Sequence, residues 1–416
     1  MITAKARVGA AVLAVLVAAT AACSPPDAPA PQPAPTSAVP SASPDADALA
    51  ADAKAKIDVV LAAQAAAFNK GDLAGFLAAA AGDRTIEAAL KRRFTALRAM
   101  KVADVTQKVG VGPGPTGDPG RWSVEVSFGY CVGGPGCRSV APLVGTTWEE
   151  GPEGFRLVNL GTTGDGPRPW EADDLVVRVG KRVIVATTKA HAAAATTALP
   201  IAEKAATVAD TFTLGGARPH RYVVYLAGKK EWKIWYGNTY DDSTSGYAMP
   251  ALSEGTDLVV RLDAYPIERT GKLLRHEMTH LASLSNLVGG DSDGSAWWLS
   301  EGLASLAGEN GADPRDHPVR DGVRDYLRKS PYRGDLATVT PGSGDTDAVI
   351  SAKYGLGYYA TRCIDDRYGR KKLMKLFEAL LRNDKEGVDV APALLGTTWK
   401  KVESTCLAYT RSAVGL

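Results

Sequence analysis

Residues Leu273 to Ala282 of this chain read LLRHEMTHLA. The sequence has only five histidines, and two of them, His276 and His280, stand here on either side of Glu277. On an α-helix, positions i and i+4 lie on one face, one turn apart. This spacing lets His276 and His280 offer two imidazole nitrogens to one cation, with Glu277 displaced toward the space beside it. Two neutral imidazoles suit Zn²⁺, and a carboxylate next to them can take a proton from a water that the ion acidifies. The plain alternative is a helix that carries His and Glu on an exposed face by accident.

A catalytic zinc site needs a third protein ligand and one position left open. Glu301 stands in AWWLSEGLAS, and its flanking tryptophans and small residues predict a second packed helix. HEMTH followed by WLSEGLA resembles the gluzincin metallopeptidases. The resemblance implies His276, His280 and Glu301 as ligands of one Zn²⁺ per chain. It also implies Glu277 as general base in the hydrolysis of a peptide or protein substrate. It covers roughly residues 173–416, with specific content confined to the two helices. Ser305 stands near the position where thermolysin-like members carry an orienting aspartate, and GYAMP keeps Gly246 and Met249 but not the glutamate and asparagine of the aminopeptidase run. Gluzincins also use a tyrosine or histidine from the C-terminal part as oxyanion donor. KYGLGYYATRC supplies Tyr354, Tyr358 and Tyr359, of which family position favours Tyr358; the competing reading makes them core aromatics. His317 in DPRDHPVRD is the rival donor. Asp291 and Asp293 read as turn residues and a helix N-cap, since the loop has too few ligands for an EF-hand.

The rest of the chain must hold these residues in place. Lys and Arg number 48 against 46 Asp and Glu, a net charge of +2 without a long basic block, which argues against nucleic acid as a partner. The start, MITAKAR followed by a short apolar run, has the charged and apolar regions of an export signal. It ends in TAAC, which resembles a bacterial lipobox at Cys23, although Thr20 stands where Leu or Val is usual. The resemblance implies lipidation of Cys23 and an extracytoplasmic protein anchored to the cell membrane by its N-terminal lipid. Otherwise Cys23 is the tail of an ordinary signal peptide, residues 1–23. Residues 24–47, rich in Pro, Ala and Ser, read as a tether. No later segment is apolar for the length a bilayer requires.

With Cys23 set aside, four cysteines remain, and pairing by locality predicts disulfides Cys131–Cys137 and Cys363–Cys406. A four-thiolate metal site is the rival, but neither pair has the spacing usual for zinc.

The pattern predicts an α+β fold. Residues 48–168 read as three helices followed by four strands, and that order, with GDLAGF, resembles the NTF2-like superfamily, a fold that hosts many activities. Residues 173–416 read as a zincin-type metallopeptidase domain. It begins with a strand pair across Gly180 and Lys181 and an alanine-rich helix interrupted near Pro200, and it ends in a mainly helical part. An exported zinc metallopeptidase is the expected function. Its rivals are a non-catalytic cell-surface binding protein with a vestigial or structural zinc site, and an envelope scaffold.

Overall fold

Gly71 and Asp72 punctuate the first helical run, and the chain turns there. The computed structural model describes residues 44–134, 140–164, 166–214, 218–238, 244–249, 257–264, 266–284 and 294–416. Cys23, the leader and most of the tether lie outside the described residues, as do Cys137, Asp291 and Asp293. Helix α1 (Pro44–Lys70) begins inside the segment read as tether. Gly71 ends it at φ +78°, and the Asp72 side chain then accepts the Gly75 N–H to start α2 (Leu73–Leu77). Asp83 caps α3 (Arg84–Ala99) in the same way. Ile57, Leu61 and Phe68 of α1 and Leu90 and Leu97 of α3 are buried, and the Phe68, Phe76 and Phe94 rings meet at 5.3–5.7 Å. The helices cover an antiparallel meander of β1 (Ala103–Pro115), β2 (Arg121–Cys131), β3 (Leu143–Gly151) and β4 (Gly154–Thr163), hydrogen-bonded in that order.

A short helix, α4 (Pro169–Ala172), leads to the second sheet. Its strands are β5 (Leu175–Val179), β6 (Val183–Thr188), β7 (Tyr222–Ala227), β8 (Gly246–Met249) and β9 (Asp257–Arg261), in spatial order β5-β6-β7-β9-β8. β6, β7 and β9 run parallel, with β5 and β8 antiparallel at the two edges. VIVATT, YVVYLA and DLVVR are apolar at nearly every position, as strands covered on both faces must be. Side-chain alternation divides them. Val183, Val185, Val224, Leu226, Leu258 and Val260 face a core built with α5 (Ala192–Ala209) and α7 (Gly271–Leu284). Ile184, Ala186, Val223, Tyr225 and Val259 join the core of the N-terminal helices and meander. Residues 48–168 and 173–416 are therefore joined through one continuous hydrophobic core.

Between β7 and β8 lies the single turn α6 (Lys229–Trp232). Helix α5 packs closely because Ala195, Ala198, Ala202, Ala205, Ala206 and Ala209 line its buried face. It runs straight through Pro200, which lies on the exposed face, where the carbonyl that lacks an N–H partner can meet water.

After α7 the described chain is helical: α8 (Trp297–Glu309), α9 (Arg320–Lys329), α10 (Asp347–Tyr368), α11 (Arg370–Phe377), α12 (Gly387–Leu395) and α13 (Trp399–Val414), around a third core. The whole is a mixed α+β fold. No helix among the described residues is long and apolar enough to cross a membrane.

Cys363 of α10 and Cys406 of α13 form a buried disulfide with Cα atoms 5.5 Å apart; Cys131 is buried at the end of β2. The bridge closes a sequence separation of 43 residues. Replacing both cysteines by alanine is expected to lower unfolding stability by about 4 kcal/mol, from the loop-closure entropy returned to the unfolded chain. Urea midpoints of parent and variant, read by circular dichroism, check this.

Candidate metal centre

Helix α7 has two functional faces. Leu274, Met278, Leu281 and Ala282 are buried against the sheet and α5. That fixes the rotation of the helix and turns His276 and His280 toward α8, where Glu301 lies. The His276 and His280 Nε2 atoms are 3.2 Å apart, and the two rings are nearly perpendicular, at 80°. His276 Nε2 is 3.3 Å from Glu301 Oε2, and His280 Nε2 is 3.5 Å from Glu301 Oε1. The three side chains form the one group of three or more metal-type donors found among the described residues.

The arrangement fits a small divalent cation. At 3.2 Å the two Nε2 atoms can share a proton or, with both unprotonated, a cation between them. Ligands at the Zn–N and Zn–O distances of a tetrahedral site are about 3.3–3.5 Å from one another, close to the separations seen here. Glu301 Oε2 is buried without a hydrogen-bond partner among the described residues. Two imidazoles and a carboxylate are a donor set that a divalent cation can use.

Electrostatics agree with a site waiting for a cation. Burial would raise the Glu301 carboxyl, but His280 and His276 outweigh it and hold the group well below the usual carboxylate range. Burial would lower His280, yet the charge and hydrogen bond of Glu301, with Glu277, raise it above its ordinary value. Glu277 behaves differently. It is buried, and desolvation raises its carboxyl against the pull of both imidazoles. Its Oε2 accepts the Ala248 N–H from edge strand β8 at 3.1 Å, while Oε1 is buried without a partner. A carboxylate of raised proton affinity, held by one oxygen with the other unengaged, is suited to proton transfer.

Two contacts set the register between α7 and α8. Arg275 donates from Nε to the carbonyls of Gly308 (2.9 Å) and Ala307 (3.2 Å), closing the C-terminal end of α8, and Lys272 pairs with Glu309. On its other side α8 meets α10 at close range. A Cβ at Gly302 would collide with Thr361 Oγ1 and the Gly357 carbonyl, and one at Gly357 would lie 2.7 Å from the Trp298 carbonyl. Glycine at 302 thus lets α10 press α8, and Glu301 with it, toward α7. The small residues beside Glu301 signalled a packed helix. Arg275 and the Ala248 N–H carried no signal in the sequence, because an arginine that caps backbone carbonyls is commonplace and a backbone donor has no residue type.

Tyr358, expected at the site as an oxyanion donor, is instead a core aromatic. Because Gly357 faces α8, the Tyr358 ring is carried round into the loop after α8, where it stacks on His317 at 4.1 Å and 20°. Burial pushes its hydroxyl up to about 12, and Arg362 and Glu309 are the charges acting on it. Nor is His317 an exposed loop residue. Its Nε2 lies 3.2 Å from Glu309 Oε1 and its Nδ1 accepts the Val319 N–H. Despite that carboxylate, burial, aided by Lys272, pushes its imidazole down to about 3. Tyr354 packs on Trp297, and the Tyr359 hydroxyl donates to the Pro314 carbonyl.

No known protein family matches the sequence, and no curated protein matches it either. Among solved structures, the chain is similar to an M1 zinc metallopeptidase from Deinococcus radiodurans, at 14% identity over 74% of each chain, with a TM-score of 0.36. A likeness this distant assigns nothing to individual residues.

Replacing Gly302 with alanine is expected to cost about 1–3 kcal/mol through overpacking at the α8–α10 crossing and to weaken zinc retention. Urea midpoints and zinc per chain after dialysis check both parts. Zinc retention should also depend on pH. Glu301 raises the proton affinity of His280, and only the unprotonated ring can hold a cation, so cation affinity is expected to fall as pH falls through that raised value. Competition with a chelator at about pH 8 and about pH 6 is expected to show the weaker binding at the lower pH.

Proposed function

We propose that this chain is a zinc-dependent metallopeptidase acting outside the cytoplasm, anchored to the cell membrane through a lipidated Cys23. The observation that carries the activity is the convergence of His276, His280 and Glu301 beside a second buried carboxylate, Glu277, that is not needed as a ligand. A zinc ion held by the three ligands would supply Lewis acidity toward the scissile carbonyl and the attacking water. Glu277 takes the water's proton at Oε1, its unengaged oxygen, while Ala248 keeps Oε2 in place. The same carboxyl then delivers the proton to the departing amine. Peptide as the substrate class is supported by β8, the sheet-edge strand beside Glu277, along which an extended backbone can lie. Export and anchoring rest on the leader and the TAAC pattern ending at Cys23.

A structural zinc is usually closed by four protein ligands, whereas the group here has three, which favours catalysis over the binding-protein and scaffold readings.

Elemental analysis and a peptide-library cleavage assay test this on the parent, Glu277→Gln and Glu301→Ala. The parent should hold one zinc and cleave. Glu277→Gln should keep its zinc and lose turnover by roughly 10²- to 10⁴-fold. Glu301→Ala should lose zinc. Undiminished cleavage by Glu277→Gln would remove the general-base assignment, and a folded, zinc-supplemented parent without zinc would return the binding-protein reading.

A further inference from the structure

A buried polar cluster lies where the N-terminal unit meets the second sheet. Arg168, just before α4, is 4% exposed and Asp257, the first residue of β9, is 5% exposed. Arg168 Nη1 donates to Asp257 Oδ2 at 3.3 Å and to the Tyr130 hydroxyl of β2 at 3.1 Å. The Tyr236 hydroxyl donates to the same Asp257 oxygen at 2.8 Å. The arrangement is costly to build. Arg168 Nε is buried without a partner, and Tyr236 holds φ +53°, a left-handed conformation that non-glycine residues rarely adopt. The Tyr236 loop is clasped to the linker by its own N–H on the Pro167 carbonyl, and Gly166 permits the approach, since a Cβ there would strike Gly237. Buried ion pairs add little net stability compared with apolar packing and are better placed to fix a geometry.

The geometry in question leads to Glu277. Alternation along β9 turns Asp257 and Val259 toward the N-terminal unit and Leu258 and Val260 toward α7. Ladder hydrogen bonds to β7 fix the register of β9, and the clamp adds a side-chain anchor at its first residue, beside the short pairing with β8. Asp257 sits opposite Met249 in the β8–β9 ladder, and Leu258 sits opposite Ala248. Ala248 points its N–H away from β9 to Glu277 Oε2. The clamp on Asp257 is thus one residue pair from the donor on Glu277.

We propose that Arg168 is a positioning residue for the metal centre: from the N-terminal unit it clamps Asp257, and through the short β8–β9 ladder it holds the Ala248 N–H on the Glu277 carboxylate. The N-terminal unit is then a working part of the catalytic body and not only a module on a tether. The effect on turnover rests on the reading of Glu277 as proton acceptor; the effect on the Ala248 hydrogen bond does not.

Removing Arg168 alone strands a buried carboxylate and endangers folding. The test therefore uses the double variant Arg168→Met/Asp257→Asn in the full zinc-loaded chain, which keeps an acceptor for Tyr236. Arg168→Lys serves as the conservative variant. Arg182→Met/Asp210→Asn serves as a control, since it removes an ion pair of 2.8 Å between the turn before β6 and the end of α5. Hydrogen exchange of the Ala248 amide, zinc content, kcat and KM are read. The double variant is expected to keep its zinc, exchange Ala248 about tenfold faster and lose a similar factor in kcat with KM little changed. Arg168→Lys should recover most of both, and the control should leave Ala248 exchange as in the parent. Parent-like exchange in the double variant, or equal acceleration in the control, overturns the proposal. A zinc-loaded parent that cleaves no peptide, while the double variant exchanges Ala248 faster, overturns the peptidase reading and leaves the clamp standing.

Discussion

Two imidazole nitrogens and a carboxylate converge on one point, and the surrounding helices are packed in a geometry that keeps them there. Holding that geometry requires α7 and α8 to lie side by side in one register, because a shift of one turn would move Glu301 past its partners. The register is set by polar contacts at the end of α8, from Arg275 to its last carbonyls and from Lys272 to Glu309. The depth is set by glycine at the α8–α10 crossing. The contacts of Glu301 with both imidazoles add to it.

The carboxylates of the centre show how environment separates two roles. Glu301 and Glu277 are both buried among the same two imidazoles. Glu301 touches both rings and stays ionised, ready to bind a cation. Glu277 lies beside them, meets a single backbone N–H, and has its proton affinity raised by desolvation. A ligand benefits from the first condition and a proton carrier from the second.

The second sheet links the centre to the rest of the molecule. Its three parallel strands are covered on one face by α5 and α7, which carries the histidines, and on the other by the N-terminal helices and meander. Edge strand β8 is paired to this sheet through β9, and its Ala248 N–H reaches Glu277 on α7.

The convergence of His276, His280 and Glu301 was legible in the sequence because metal ligation demands particular residue types at helical spacing, and few histidines left little to confuse them. The order of helices and strands was legible for the same local reason: Asp72, Asp83 and the glycine turns act on their own neighbours, and apolar period follows element type. Tyr358 was misplaced because spacing along α10 does not say which side of that helix meets α8; Gly357 takes that side and sends the ring toward His317. Arg275, the Ala248 N–H and the Arg168–Asp257 clamp were invisible, since each joins residues far apart in the chain through groups that are common everywhere. By itself the sequence determined which side chains can bind and which can carry a proton. Only the tertiary structure decided where they meet, because that depends on helix rotation, strand register and the buried contacts that hold both.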